Sequence, residues 1–403
     1  MADHTPAGEG PFRFEYDPAV IRFGEGCVAD LGDELAAHGL DRALVVSGRT
    51  VGTVEDVIGP VRAGLGDRLG AVFAETTPEK RLATAVAAAE RYRDVDADAI
   101  VGLGGGSSLD VAKQTAVVLA SDRSPAELGA AFAATGTLPV PDDLPPVVAV
   151  PTTLAGADLS EGAGLNASPD GGLVDEPTSG GIGGRGLMPT ALVADPALYA
   201  TTPRSVLAAS AMNGFDKGLE SLYSPRATPI TDATASRALA LLVDALPALG
   251  ADPVTAADLT PVVRGILLAQ FGVSRPGEST LSLLHAFGHA LSDAGVHQGT
   301  AHGVVAPHVV AFLLEADVVR RDLLADALGV GDAANSDAAI VDAVADVRDA
   351  LGLPGRLRSL DAVDRGDLPA LADATLADDL SQNVPAGLDL DRSALEGILE
   401  AAW

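Results

Sequence analysis

Through the first two hundred residues or so, short apolar runs rich in β-branched side chains alternate with segments of helical spacing. ALVVSG (43–48), GAVFAE (70–75), DAIVGLGGG (98–106) and PVVAVPTT (146–153) read as buried strands. VEDVIGPVRAGL (54–65) and RLATAVAAAERYR (81–93) repeat their apolar positions every three to four residues and read as helices. Such alternation predicts an α/β layer around a mostly parallel sheet. The stretch 159–187, rich in Gly, Ser, Pro and Asp, predicts irregular loop or a hairpin over that sheet. Beyond residue 200 the pattern changes. Thr202-Pro203 offers a helix start, and apolar-periodic segments run on to Trp403 with no convincing strand. The expected architecture is an α/β domain over 1–197 and an all-α domain over 198–403. The polar, Ala/Asp-rich stretch 330–345 is expected to be an exposed connection, and no internal repeat is visible.

Composition narrows the class. A chain of 403 residues is too long for one ordinary core, which agrees with two domains. Acidic residues outnumber basic ones 56 to 26, a net charge of −30. A field of that sign repels nucleic acid and anionic membranes, so neither is an expected partner. The cations are nearly all arginine, with lysine only at 80, 113 and 217. This evenly spread acidity, poor in lysine and rich in alanine, suits a halophilic protein kept soluble in concentrated salt; an ordinary acidic protein is the plainer alternative. No apolar run approaches the roughly 20 residues of a membrane span. The opening MADHTPAGEGPF has neither a basic start nor an apolar core, so no secretory signal is expected. A single cysteine, Cys27, fits a cytoplasmic enzyme without a disulfide framework.

The most informative loop follows the strand-like AIVGLGG. Gly104, Gly105 and Gly106 let the backbone approach a ligand closely, and Ser107 and Ser108 then open a helix whose N-terminus favours a phosphate. Asp110 and Lys113 follow on that helix, the lysine able to reach back toward an anion. A plain strand–helix turn is the alternative, and the loop departs from the GxGxxG of dinucleotide-binding folds. PTTLAGAD (151–158) brings Thr152 and Thr153 to the same sheet edge, where open α/β sheets bind ligands.

GGGSSLDVAK, PTTLAGAD, the stretch ADPALYATTPRSVLAASAMNGFDKGLESLYSPRATPI, and HAFGH with TAHGVVAPH together resemble the iron-containing (group III) alcohol dehydrogenase family. The likeness extends from RFGEG (22–26) to the terminal residues, and NGFDKGLESLYSPRATPI looks closest to the maleylacetate reductase branch. The resemblance implies an N-terminal α/β nucleotide-binding domain, a C-terminal helical domain for metal and substrate, and a dimer or larger oligomer. It also implies hydride transfer between a nicotinamide dinucleotide and an alcohol or carbonyl. An acidic residue at the end of the first strand would hold the adenosine 2′-OH of NAD, and in the family an Asp commonly stands there. Here Ser47, Gly48 and Arg49 leave room and a positive charge, which favours NADP over NAD.

Five of the seven histidines fall within residues 285–308. The resemblance makes His285 and His302 ligands of a divalent cation, iron or zinc, and puts His289 on the wall near the nicotinamide as a proton relay. His308 is expected to be structural, and His297 lies in the intervening loop. The acidic half departs from the family pattern. Asp216 and Glu220 stand four apart and would give hard oxygen ligands in one register. The flank ESLYSPRATPI instead places Asn213 and Lys217 where the family has Asp and His, and maleylacetate reductases resemble this chain in the Asn. A protonated lysine cannot ligate a metal. Either Lys217 pairs with Glu220 beside a weakened site of Asn213, His285 and His302, or it replaces the metal's charge and polarises the carbonyl itself.

The expected function is NAD(P)-dependent reduction of a small carbonyl, or oxidation of the alcohol. Maleylacetate reductase activity is the alternative, with Lys217, Arg185 or Arg204 holding a dicarboxylate. A non-catalytic nucleotide-binding homologue is a third reading. A sugar-phosphate cyclase on the same architecture would carry more basic residues than this chain has.

Overall fold

The fold is described from a computed structural model, which covers residues 12–16 and 19–403. The expectation about an N-terminal signal falls on residues outside that range. Two compact units emerge, one of Tyr16–Thr202 with Ser274–Gly277, the other of Pro203–Val273 and Glu278–Trp403 with residues 12–15.

The first unit is built on six parallel strands: β1 (Val20–Phe23), β2 (Ala43–Gly48), β3 (Leu69–Thr76), β4 (Ala99–Gly104), β5 (Val147–Pro151) and β8 (Ala191–Ala194), in the order β1-β8-β5-β4-β2-β3. Two further strands, β6 (Gly162–Ala167) and β7 (Thr178–Gly183), form an antiparallel hairpin within the Gly/Ser-rich stretch. Side chains alternate across the sheet and feed two cores. Leu44, Val46 and Ile100 pack with Val111, Ala112 and Ala116 of helix α4 (Gly106–Ala120) and with helices α3 (Leu82–Asp94) and α5 (Pro125–Thr135). On the other face Val45, Val101 and Val148 pack with helices α1 (Leu31–Ala37) and α2 (Glu55–Leu65). Burial on both faces is why β4 and β5 read as continuous apolar runs. The short β1 and β8 carried no such signal and were not foreseen.

Strand order reverses between β2 and β4. The chain leaves β2 for β3 on one side, then returns to β4 on the other, and the crevice at their carboxyl ends is the topological switch point.

After the short α6 (Pro196–Tyr199), the second unit is helical: α7 (Arg204–Tyr223), α8 (Pro229–Ala245), α9 (Ala256–Gln270), α10 (Leu283–Asp293), α11 (Gln298–Glu315), α12 (Arg321–Ala327), α13 (Ser336–Ala350), α14 (Leu368–Ala377) and α15 (Arg392–Ala402). Two expectations need correction. Two-residue strands, β9 (Ser274–Arg275) and β10 (Glu278–Ser279), interrupt the helical half. The supposed connection 330–345 runs into α13, started by the Asn335 side chain accepting from Ala338 N and anchored by buried Ile340, Val344 and Val347. The polar surface of this helix disguised its one-sided apolar stripe.

Pro229–Gly250 has the length and composition of a membrane span, with mean hydropathy 1.2, contrary to the sequence expectation. Its buried Ala235, Ala238, Leu239, Leu242 and Ala245 lie on one face, while Arg237 and Asp244 are exposed. Packed against α7 and α9, it has the pattern of a core helix.

Candidate active site

At the sheet edge β4 ends in Gly104, whose φ of +132° disfavours any side chain and whose added Cβ would lie 3.0 Å from Ser108 Oγ. The helix α4 starts two residues later, so its first N–H groups lie beside the switch point with Ser107 in the opening turn. Thr152 N donates to Gly104 O at 2.9 Å and ties the loop after β5 to the loop after β4. A Cβ on Gly105 would meet Thr153 Cγ2 at 3.2 Å, so the two loops touch. The hydroxyls of Thr76 and Ser108 share a hydrogen bond of 2.8 Å beneath them. Gly48 ends β2, and a Cβ there would meet nothing closer than Thr76 O at 3.5 Å; Arg49 beside it is exposed. Gly48, Arg49, Gly104–Gly106, Ser107, Thr152 and Thr153 therefore share the carboxyl ends of β2, β4 and β5.

Asp110 and Lys113, expected at the nucleotide, have partners within the protein. Both are buried further along α4 and already engaged. Asp110 pairs with Lys80 at 2.7 Å and accepts from Gly164 N at 3.2 Å. Lys113 Nζ donates to the carbonyls of Ala157, Ser160 and Gly162 at 2.9, 2.7 and 3.2 Å. These three bonds clamp the 157–162 segment to α4.

In the helical unit, α7 is buried along every residue from Leu207 to Tyr223. Asn213, Asp216, Lys217 and Glu220 are spaced i, i+3, i+4 and i+7, so they form one polar stripe on a buried helix. Glu220, fully buried, accepts from Ser282 N at 3.0 Å and His285 N at 3.2 Å, and its other oxygen lies 2.5 Å from His285 Nδ1. Tyr223 OH donates to it at 3.3 Å. A carboxylate of α7 thus satisfies the orphan N–H groups at the start of α10 and orients the first imidazole. His302 of α11, fully buried, has Nδ1 3.0 Å from Asp216 Oδ2, outside hydrogen-bond alignment. Its ring stands edge-on to His285, centroids 4.6 Å apart at 71°. Its Nε2 lies against Gly288, where a Cβ would come within 2.1 Å. Only glycine lets α10 pass that close to the imidazole.

Lys217 Nζ donates to Gln270 Oε1 at 3.1 Å, both residues being buried. Glu220 spends its carboxylate on the start of α10, so the expected Lys217–Glu220 pairing is not what holds the lysine. His289 is set apart from the other two histidines: it is exposed and pairs with Asp378 at 2.8 Å. His297 is exposed just before α11, and His308 is half-buried within it. Arg204 donates to Leu249 O at 2.8 Å.

Burial dominates the electrostatics. It raises Glu220 to about 7, against the opposing pull of His302 and the backbone donors. Burial, then the charge of Glu220, holds Asp216 well above the carboxylate range. Burial lowers His302 to about 3 and His285 well below its usual value, with Lys217 among the further causes in both. The imidazoles are neutral at pH 7, and the lysine charge is felt at each.

The glycine cradle at the sheet edge suits a nucleotide, and the chain belongs to the iron-containing alcohol dehydrogenase family. Residues 18–196 match Iron-containing alcohol dehydrogenase, and 207–403 match Fe-containing alcohol dehydrogenase family, C-terminal. Within it, the chain is similar to the maleylacetate reductase of Sphingobium indicum, 29% identical over 326 residues covering 80% of this chain and 81% of the relative. It is also similar to the NAD-dependent methanol dehydrogenase of Bacillus methanolicus, 28% identical over 92% of this chain and 95% of the relative. The crystal structure of a maleylacetate reductase from Agrobacterium tumefaciens shares the fold, with a TM-score of 0.78 at 24% identity over 98% of each chain.

The two groups that this family implies fare differently. A dinucleotide fits the switch point, with its glycine cradle and the start of α4. A divalent iron does not fit the helical centre. Among the described residues, no three His, Cys, Asp or Glu side chains are grouped as cation ligands. Asp216 and Glu220 stand behind the imidazoles on their Nδ1 sides, Asn213 is a neutral donor, and Lys217 brings a positive charge. Gln270 as partner of Lys217 and Asp378 as partner of His289 were missed from the sequence, and no local spacing signals either. Asp216 and Glu220 were read as hard ligands in one register, and the structure sets them on the Nδ1 sides of His302 and His285.

Proposed function

We propose that this protein is an NAD(P)-dependent oxidoreductase that reduces a small carbonyl, or oxidises the corresponding alcohol. The observation that carries this reading is the polar stripe of α7, buried against His285 and His302, in a chain whose sheet edge is formed for a dinucleotide. Burying five ionisable side chains (Asp216, Lys217, Glu220, His285 and His302) together costs stability, and such clusters concentrate where chemistry is done. When bound, the nicotinamide supplies or takes up the hydride. Gly104–Gly106, Ser107, Thr152 and Thr153 receive its diphosphate, and Gly48 with Arg49 favours the 2′-phosphate of NADP. His289, exposed and oriented by Asp378, exchanges the substrate proton with solvent. Absorbance of NADPH and NADH at 340 nm, followed in concentrated salt against a panel of aldehydes and ketones, tests this. No consumption of either cofactor with any member would refute it.

A second reading has specific support. Similarity to maleylacetate reductases across most of the chain favours reduction of an activated C=C in a dicarboxylate. Turnover of maleylacetate without turnover of simple aldehydes would choose it.

A further inference from the structure

The helical centre buries unpartnered polar atoms of α7, α10 and α11 in the same unit as a lysine of α7. Asn213 Oδ1, His285 Nε2 and both ring nitrogens of His302 are buried with no hydrogen-bond partner among the described residues. Glu220 takes the Nδ1 side of His285, so its proton lies there and Nε2 is left as a lone-pair donor. That half of the arrangement would serve a metal. The other half would not, because Lys217 rises from the same stripe one turn after Asn213, held by Gln270. An ammonium has three N–H donors and no lone pair, so it opposes a dication and complements acceptors. Arginine supplies nearly all the cations of this chain, and one of only three lysines stands at this point.

We propose that the Lys217 ammonium takes the place of the divalent cation, so that the substrate oxygen is bound and polarised by Lys217 without a metal. This rests on the carbonyl oxidoreductase reading and names its electrophile. As hydride with its electron pair reaches the carbonyl carbon, the π pair moves onto oxygen. Lys217 donates a hydrogen bond to the growing alkoxide, and one proton, ultimately from water, completes the alcohol. Gln270 Oε1 keeps the ammonium in register. An ammonium already desolvated and aimed needs no reorganisation as the charge develops.

The test begins with the intact protein purified in concentrated salt. Elemental analysis is expected to find far less than one metal per chain, and exhaustive chelation to leave turnover unchanged. Lys217→Met, which keeps length and volume, is expected to lower kcat about a hundredfold or more, with the nucleotide KM unchanged. Methylammonium or ethylammonium is expected to restore part of the activity of Lys217→Ala. The double variant Asn213→Asp/Lys217→His is expected to gain a zinc site that calorimetry detects and the parent lacks, a result independent of turnover. About one metal per chain whose removal abolishes activity, zinc binding by the parent equal to that of the double variant, or parental turnover by Lys217→Met would each overturn the proposal. If the parent reduces no carbonyl, the functional reading fails, while metal content and zinc binding still decide the place of Lys217.

Discussion

Single residues decide cofactor choice and the protonation of the site. Gly48 has room for a side chain, its nearest neighbour being 3.5 Å from an added Cβ. A carboxylate there would repel a 2′-phosphate and accept from a 2′-OH. Gly48→Asp should therefore lower the NADPH-to-NADH ratio of kcat/KM by about tenfold or more, each 1.4 kcal/mol being a factor of ten; an unchanged ratio would remove Gly48 from cofactor selection. His302 carries a pH signature. Its folded value near 3 lies below the unfolded 6.5, so the unfolded chain binds an extra proton between them. The contribution of this residue is present above about pH 6.5 and lost as pH falls toward 3. Glu220 works the other way, raised from 4.5 to about 7, so its contribution is lost as pH rises through that window. Melting curves between pH 7 and pH 4 should show a shallower acid loss in His302→Gln than in the parent, and equal slopes would contradict the buried neutral imidazole.

At the scale of elements, the helical site depends on one helix finishing another. The start of α10 lacks a side-chain cap of its own, and Glu220 of α7 accepts its N–H groups instead. Glu220→Ala would leave two buried donors and His285 Nδ1 without their acceptor. It should cost about 2–4 kcal/mol in denaturant unfolding, well beyond a surface substitution. Glu220→Gln keeps an acceptor and should recover part of the loss, and equal stabilities for the two variants would show that the cap contributes nothing. The same logic explains α4. Lys113 and Asp110 looked like ligand groups because they follow a glycine loop, yet they fasten the 157–162 segment and the β6–β7 hairpin to their helix.

For the whole molecule, charge is the dominant feature. A net charge of −30 on 403 residues self-repels, and added salt screens it. Shortening the Debye length from about 10 Å at 0.1 M to about 3 Å at 1 M should raise Tm by several degrees, more with KCl than with an uncharged osmolyte at equal osmolality. A Tm that is flat in KCl would remove the halophilic reading and leave an ordinary acidic protein. A charge of this size bears on solubility and self-repulsion and not on the fold.

Local pattern alone reached much of this protein. Apolar, β-branched runs located β2, β3, β4 and β5, and for β2, β4 and β5 a strand buried on both faces has no choice but to be apolar. The glycines after β4 and the cluster of histidines pointed to the two candidate regions, because close backbone approach and imidazole chemistry each demand particular residues. Short β1 and β8, and α13 behind its polar surface, lacked a pattern strong enough to read. What only the tertiary structure decided is which polar side chain faces which. Lys113 holds the 157–162 segment and Asp110 the β6–β7 hairpin, Asp216 and Glu220 stand on the Nδ1 sides of the imidazoles, and His289 pairs with Asp378. Spacing along a helix sets the face on which a side chain lies, but its partner comes from a distant segment, and the bonds in a buried site are settled only when those segments meet.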